Sequence, residues 1–441
     1  MVLFVTELWE RFAYYGMRAL LILYLIDTAT GGLGWTRTQA SHLYGWYNGL
    51  AYLTPVAGGW LADRYLGGSR SLVLGSALIA AGHFTLALGA MRFLYAGLAL
   101  IIVGTGFFKP NVYTMVGQLY PAGDSRRDAG FTLYYMGINL GALFGPLVCA
   151  WFAADPRFGW SWGFGAAGVA MLLGLLFYLT TGSSRLEKVG ASPGDPGRQH
   201  GSNRLLLRLS PEEWRRVMAL AIVTVFVVFF WLAFEQVGSS LNLFAAERTR
   251  RTLSGSLGSH LPRGEIPAAW FQAVNPLFVL LLAPLMASLW QRLGPRAPAS
   301  ATKMALGLLL LGGAYIIMVA AASASDAGTL ASPAYLIAFY LVYSLAELCF
   351  LPAGFSFVGQ AAPRQIAAML MGLWFTANFA ANLLAGYLAG TMDRIERGEL
   401  FHLLGGQADF FLIFVALSMG AGLLLAMLLP LIKGLMRVEV S

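Results

Sequence analysis

Long apolar runs separated by short polar loops dominate the chain. Twelve can be placed, at 4–26, 42–62, 71–91, 93–118, 129–153, 160–182, 216–246, 268–290, 301–322, 333–358, 366–390 and 409–432. A helix needs about 20 mostly apolar residues to cross the hydrocarbon core of a bilayer, and each run is near or above that length. The pattern predicts an all-α integral membrane protein. The seventh run is long enough to tilt or to project beyond the bilayer.

One substantial polar interruption runs from Ser183 to Arg216 and includes the Pro- and Gly-rich stretch Gly190 to Arg198. Such a composition cannot propagate a helix, so a flexible cytoplasmic linker is expected. It divides the chain into an N-terminal six-helix bundle (1–182), a linker (183–215) and a C-terminal six-helix bundle (216–441). Six plus six helices, each half made of two inverted three-helix repeats, is the major facilitator plan.

Composition agrees: of 441 residues, 58% are hydrophobic and 11% charged, against about 25% charged in a soluble domain. The net charge of +8 is spread over short loops without a basic stripe, so nucleic acid is not an expected partner. An even helix count puts both termini on one side. Loops on that side carry 17 Lys and Arg, the opposite loops nine, so both termini are expected in the cytoplasm. No cleavable signal peptide is expected, since the first apolar run already carries Glu7, Glu10 and Arg11. Cys149 and Cys349 fall inside predicted helices and read as buried free thiols. No Walker loop and no Ser-His-Asp or Cys-His spacing is present, which argues against ATP as energy source and against an enzyme.

Charge at bilayer depth costs about 2.5–3.5 kcal/mol per residue on insertion scales, so such groups face a cavity or each other. The candidates are Glu7, Glu10, Arg11 and Arg18 on helix one, Lys109 on helix four, Glu235 on helix seven and Glu347 on helix ten. These four helices open the four three-helix repeats, and in the facilitator plan they line the central path. On helix one, Glu7, Glu10, Arg11, Tyr14 and Arg18 share an arc of about 100°, with Tyr15 on its edge. The stripe reads either as a self-satisfied salt-bridge network, Glu7 with Arg11 at i,i+4, or as a proton site, where neutralising one acid releases its partner cation. Depth suggests two gating pairs: Arg18 with Glu235 outside, Lys109 with Glu347 inside.

Weaker features carry bland readings. Gly137, Gly141 and Gly145 on helix five predict close helix packing. Trp160 and Trp162 read as interfacial anchors, His83 as a satisfied helix-three residue and His42 as a membrane-edge residue; neither His has metal-ligand neighbours. The external loop at 247–267 fits simple solvation.

The run Glu7-Leu-Trp-Glu-Arg-Phe-Ala-Tyr-Tyr-Gly16 resembles the ExxERFxYYG signature of the proton-dependent oligopeptide transporter family. Gly58-Gly-Trp-Leu-Ala-Asp-Arg64 with Gly67-Gly-Ser-Arg70 is similar to the general facilitator motif. Phe131 to Gly141 resembles the family's second signature, FYxxINxGSL, with Ala142 where Ser is usual. Gly104 to Asn111, Phe234-Glu-Gln236 and Glu347 to Pro352 are similar to further family segments.

The resemblance implies a proton-coupled symporter importing di- and tripeptides across the cell's inner (plasma) membrane by alternating access, with the proton as coupling ion and no other cofactor. Its partners would be small peptides, protons and the lipid bilayer, and it would work as a monomer. On matching positions, Arg18 and Lys109 would bind the peptide carboxylate and Glu347 its amino terminus. Tyr14, Tyr52, Asn139 and Asn275 would contact the peptide backbone, while Glu7, Glu10, Arg11 and Glu235 would serve proton coupling. Two departures stand out: residues 183–215 are too short and polar to hold the extra helix pair of many bacterial members, and Gly45 stands where animal members carry a titrating His. The same fold moving nitrate or another small anion or metabolite is the alternative, and a transport-like receptor that binds without moving its ligand is a further one.

Overall fold

The computed structural model describes residues 1–119, 126–182, 186, 209–253, 256–363 and 366–436. Nearly all of the expected linker lies outside them. The N-terminal half supplies α1 (Val2–Ile26), α2 (Arg37–Leu61), α3 (Gly68–Ala87), α4 (Met91–Gln118), α5 (Arg126–Ala154) and α6 (Trp160–Phe177). Then follow α7 (Pro211–Phe234), α8 (Ser240–Glu247), α9 (Ser256–Ser259), α10 (Val274–Leu293), α11 (Ser300–Asp326), α12 (Pro333–Ala361), α13 (Ala367–Ala389), α14 (Met392–Glu396) and α15 (Gly406–Met436). Extended pairing among the described residues is limited to the isolated bridges Thr249–Ala331 and Thr252–Glu265. Nine helices among the described residues are long and apolar enough to cross a membrane. The chain is an all-α integral membrane protein.

Local signals set helix starts that hydropathy alone misplaces. Helix α2 begins at Arg37 rather than 42 because Thr36 and Gln39 form a reciprocal capping box. Helix α7 begins at Pro211 rather than 216 for the same reason: Ser210 and Glu213 cap each other and Pro211 occupies the first turn, where its missing N–H costs nothing. The expected seventh helix, 216–246, is in fact broken. After Phe234 the backbone tightens into a 3-10 turn at Glu235–Gly238 and resumes as α8. Carbonyls at that break take hydroxyl donors from other helices: Tyr315 Oη donates to Ala233 O (2.6 Å) and Tyr343 Oη to Phe234 O (2.9 Å).

Two compact units emerge. The first comprises Met1–Gln199, Val237–Glu247 and Arg251–Leu277; the second comprises His200–Gln236, Arg248–Arg250 and Phe278–Ser441. The first unit is organised on α1. Without a hydrophobic drive between helices in lipid, close backbone approach has to come from small residues, and α5 provides it as expected. A Cβ on Gly137 would meet Phe4; on Gly141, Arg11 Cβ at 2.7 Å; on Gly145, Gly16 N at 3.0 Å. On the other side, α2 and α4 meet where Thr54 Oγ1 donates to Ile102 O at 3.0 Å.

In the second unit, α7 stacks on α12 through Phe230–Phe350 (ring centroids 3.9 Å) and Phe234–Tyr343 (4.3 Å). Gln236 Nε2 ties α7 to α13 by donating to Ala385 O at 3.2 Å.

Several weaker expectations meet a definite structure. Cys149 and Cys349 are buried and free. Trp160 is pinned rather than floating, its Nε1 donating to Asp27 Oδ2 at 3.0 Å, whereas Trp162 is exposed. His83 is fully buried, but neither ring nitrogen has a hydrogen-bond partner among the described residues, contrary to the satisfied residue expected. The loop at 247–267 is not merely solvated. Arg251 pairs with Glu265 at 3.0 Å and donates to Ile266 O and Ala246 O, closing the loop on itself.

Candidate transport site

The polar face of α1, which belongs to the first unit, is buried. Glu7, Glu10 and Arg11 are each at most 5% exposed, and Arg18 is 7% exposed. Arg11 Nε lies 3.1 Å from Glu7 Oε1 and closer still to Glu10 Oε2. Two carboxylates therefore share one guanidinium. Tyr134 is a buried hydrogen-bonding neighbour of Glu7, and Arg11 Nη2 is buried without a hydrogen-bond partner among the described residues. The aromatic neighbours are polar-tipped: Tyr14 lies with its ring 5.1 Å from the Arg11 guanidinium, and its hydroxyl donates to Asn48 Oδ1 at 3.2 Å.

Two turns further along α1, Arg18 Nε donates to Tyr44 Oη at 2.7 Å, and its guanidinium stands 6.0 Å from the Tyr15 ring. On α4, Lys109 is half-buried and its Nζ lies 4.2 Å from the Tyr52 ring centroid. The next residue, Pro110, has no N–H to give to the helix ladder, and the position is packed by Gly59, whose Cβ would meet Pro110 Cβ at 3.4 Å. Asn139 turns its Nδ2 back onto Tyr135 O at 2.9 Å. Asn275, at the start of α10, is half-buried and belongs to the same unit. The first unit thus holds Glu7, Glu10, Arg11, Tyr14, Arg18, Tyr52, Lys109, Asn139 and Asn275.

The second unit holds the remaining two acids. Glu235 is 3% exposed at the break that ends α7, and Glu347 is 9% exposed at mid-length on α12. Among the described residues no group of three or more His, Cys, Asp or Glu could hold a metal ion.

Tyr44 and Asn48 were not anticipated from sequence, although a signal existed. Tyr44, Asn48 and Tyr52 recur every four residues on α2, the spacing that places side chains on one helix face.

The matches to known proteins agree with this architecture. The family model described as "POT family" matches residues 69–209 and 200–403. The "Uncharacterized transporter YclF" of Bacillus subtilis is 35% identical over 99% of this chain and 94% of its own length. "Peptide transporter YePEPT" of Yersinia enterocolitica is 34% identical, covering 97% and 93%. A crystal structure of a mutant peptide transporter POT in complex with alafosfalin superposes with a TM-score of 0.87 at 34% identity, covering 99% of this chain and 95% of that one. The tetrameric PepTSo2 superposes with a TM-score of 0.78 at 25% identity, covering 99% and 98%.

The fold is of the major facilitator type, and the molecule is a multi-pass membrane transporter rather than an enzyme. The chain belongs to the POT family, the proton-dependent oligopeptide transporters.

Proposed function

We propose that this protein is a proton-coupled symporter that imports di- and tripeptides by alternating access. The observation that carries the reading is the α1 triad, two buried carboxylates on one guanidinium at bilayer depth, in a chain that belongs to this family. Buried charge of this kind is expensive and is retained where it moves ions or substrate. Protonating one acid leaves a neutral Glu–Arg pair, so proton uptake and charge rearrangement are one event.

A zwitterionic peptide needs cations at one end and an anion at the other. Arg18 and Lys109 suit the carboxylate, and Glu347 suits the amino terminus. Tyr14, Tyr52, Asn139 and Asn275 offer hydroxyl and amide groups to the peptide backbone. Arg18 with Glu235 and Lys109 with Glu347 act as the outer and inner gating pairs, exchanged in turn by substrate and proton.

The full architecture is twelve crossings in two six-helix bundles, 1–182 and 216–441, joined by a cytoplasmic linker at 183–215. Helices α1, α2 and α13 complete the nine spans recognised by apolarity; α1 falls short by that measure because it carries Glu7, Glu10, Arg11 and Arg18. The Lys and Arg distribution supports cytoplasmic termini in the inner membrane. A monomer is the proposed working unit.

The test is uptake of labelled dialanine into proteoliposomes with an inward proton gradient and a negative interior. Accumulation that a protonophore abolishes is the expected result. Glu10→Gln should lose gradient-driven accumulation while keeping exchange of internal for external peptide. Full accumulation by that variant would remove Glu10 from the coupling role. No uptake by folded, correctly inserted protein would overturn the peptide assignment in favour of a small anion, a substrate that would also survive Glu347→Gln.

A further inference from the structure

The stretch between α7 and α10 comes from the C-terminal half of the chain, yet most of it is built into the first compact unit. The chain passes from the second unit to the first between Gln236 and Val237 and returns after Leu277, apart from a short excursion at Arg248–Arg250. Two pieces do the docking: α8, and a 3-10 turn at Ala268–Ala273 that packs against it.

Each piece is held by one side-chain N–H donated to a main-chain carbonyl in the middle of another helix. Asn242 on α8 donates its Nδ2 to Ala19 O of α1 at 2.8 Å, one residue beyond Arg18. Trp270 on the turn donates its Nε1 to Leu147 O of α5 at 2.8 Å. Neither carbonyl depends on this partner, because each lies within a helix whose own ladder it serves. Asn242 is 2% exposed, and its Oδ1 has no partner among the described residues. The fit also needs an absent side chain: a Cβ on Gly238 would lie 2.6 Å from Tyr44 Cζ and 3.1 Å from Arg18 Nε. A surface ion pair, Glu247 with Arg37 at the start of α2, adds to the same docking.

The short excursion is fastened differently. Arg250 N donates to Ala331 O at 2.9 Å and Ala331 N donates to Arg248 O at 2.8 Å, a two-bond main-chain bridge within the second unit, and Arg248 also pairs with Glu396 on α14. The two fastenings differ in kind. One rests on single side-chain donors whose acceptors are satisfied without them; the other is a reciprocal backbone pair whose rupture strands both partners.

We infer that Asn242 and Trp270 are releasable clips, positioning residues that hold α8 and its neighbouring turn on α1 and α5 in this conformation and let go when the external side opens. The 248–250 bridge then stays intact, and α8 moves with the helices that follow it. Release would also free Arg18 and Tyr44 from the backbone at Gly238 and displace Asn275, four residues beyond the Trp270-bearing turn's centre in the chain. The inference rests on the alternating-access reading, but its test needs no substrate.

Hydrogen exchange read by mass spectrometry, on detergent-solubilised full-length protein, separates the possibilities. Asn242→Leu keeps the branching at Cγ and removes the donor; Trp270→Phe keeps a ring and removes its N–H; Gly238→Ala opposes docking by bulk. Each should raise exchange of the amides in 240–247 by about fivefold, the scale of one net hydrogen bond. Amides of 248–250 and 330–332 should be unchanged, and the cytoplasmic ends of α4 and α12 should be unchanged or better protected. Local change of this kind is not what a merely destabilised fold gives, since that raises exchange at helix ends throughout. Rates at 240–247 within twofold of wild type in both Asn242→Leu and Trp270→Phe would overturn the inference. So would loosening of 248–250 in preference to α8, or a uniform rise along the chain.

Discussion

Arg18 on α1 and Tyr44 on α2, both of the first unit, are joined by a buried hydrogen bond from the guanidinium Nε to the phenolic oxygen, 2.7 Å long. The bond uses one of the five guanidinium N–H groups and fixes the plane of the rest. Arg18 is the proposed carboxylate-binding cation, so Tyr44 orients the group that would read the peptide's C-terminal end. Tyr44→Phe should raise KM for dialanine roughly tenfold, the equivalent of about 1.4 kcal/mol, at the lower edge of what a hydrogen bond to a charged group contributes. The maximal rate should change by less than about twofold. An unchanged KM in concentration-dependent uptake would detach Tyr44 from substrate binding.

How much of this was legible in the sequence depends on what kind of force placed each residue. The stripe on α1 could be read because its polar residues recur with helical period on an otherwise apolar segment, and the structure buries them together as the period implies. The glycine ladder on α5 was equally plain, since little except close approach explains three glycines four apart. The start of α2 was misread although Thr36 and Gln39 announce it, because hydropathy is blind to capping. The break after Phe234 was not legible at all. What stabilises it is the pair of hydroxyls from Tyr315 and Tyr343, about 80 and 110 positions away along the chain. Tertiary partners of that kind leave no local trace. Tyr44 lies between these extremes: its four-residue spacing from Asn48 is visible, but its choice of Arg18 as partner depends on how α1 and α2 cross.

Asp27, just beyond the end of α1, gives a pH-dependent prediction. Burial pushes its carboxyl upward, but donors more than offset this: Thr30 Oγ1 (2.6 Å), Trp160 Nε1 (3.0 Å) and the N–H groups of Ala29, Thr30 and Gly32 hold it below the ordinary carboxylate value. A depressed folded-state value means the stabilisation is fully present above the unfolded value, about 3.9, and is lost as pH falls through the folded one. Asp27→Asn should therefore lower the thermal midpoint by a constant few degrees from pH 5 to pH 8. The gap to wild type should narrow only below about pH 4. A gap that closes between pH 6 and 7 would show that some other group is responsible.

Gly141 should tolerate no side chain. A Cβ there would approach Arg11 Cβ at 2.7 Å and Phe12 N at 2.8 Å, wedging α1 from α5 at the level of the triad. Overpacking of a close contact costs about 1–3 kcal/mol, and here the backbone itself is in the way. Gly141→Ala should lower the thermal midpoint and cut gradient-driven uptake, whereas Gly165→Ala on α6, where a Cβ meets nothing within 4 Å, should leave both unchanged. Equal effects from the two substitutions, measured by thermal unfolding in detergent and by dialanine uptake, would mean that α1–α5 spacing is not what the ladder sets.

The proposed inner gate rests on charge, burial and depth, and a double-mutant cycle addresses it directly. Lys109 is half-buried beside Tyr52 in the first unit; Glu347 is buried on α12 in the second. Removing one member of a charge pair leaves its partner without compensation, so each single variant carries both the lost function and an uncompensated charge. Removing both takes the second term away. Lys109→Gln and Glu347→Gln should each reduce proton-driven uptake strongly, and the double variant should lose less than the product of the two single losses, with a coupling of at least about 1 kcal/mol, roughly fivefold. Peptide exchange without a gradient provides the control, because it separates loss of binding from loss of gate closure. If the two losses simply multiply in both assays, Lys109 and Glu347 act on opposite ends of the peptide without closing on each other, and the gate has to be sought among other pairs.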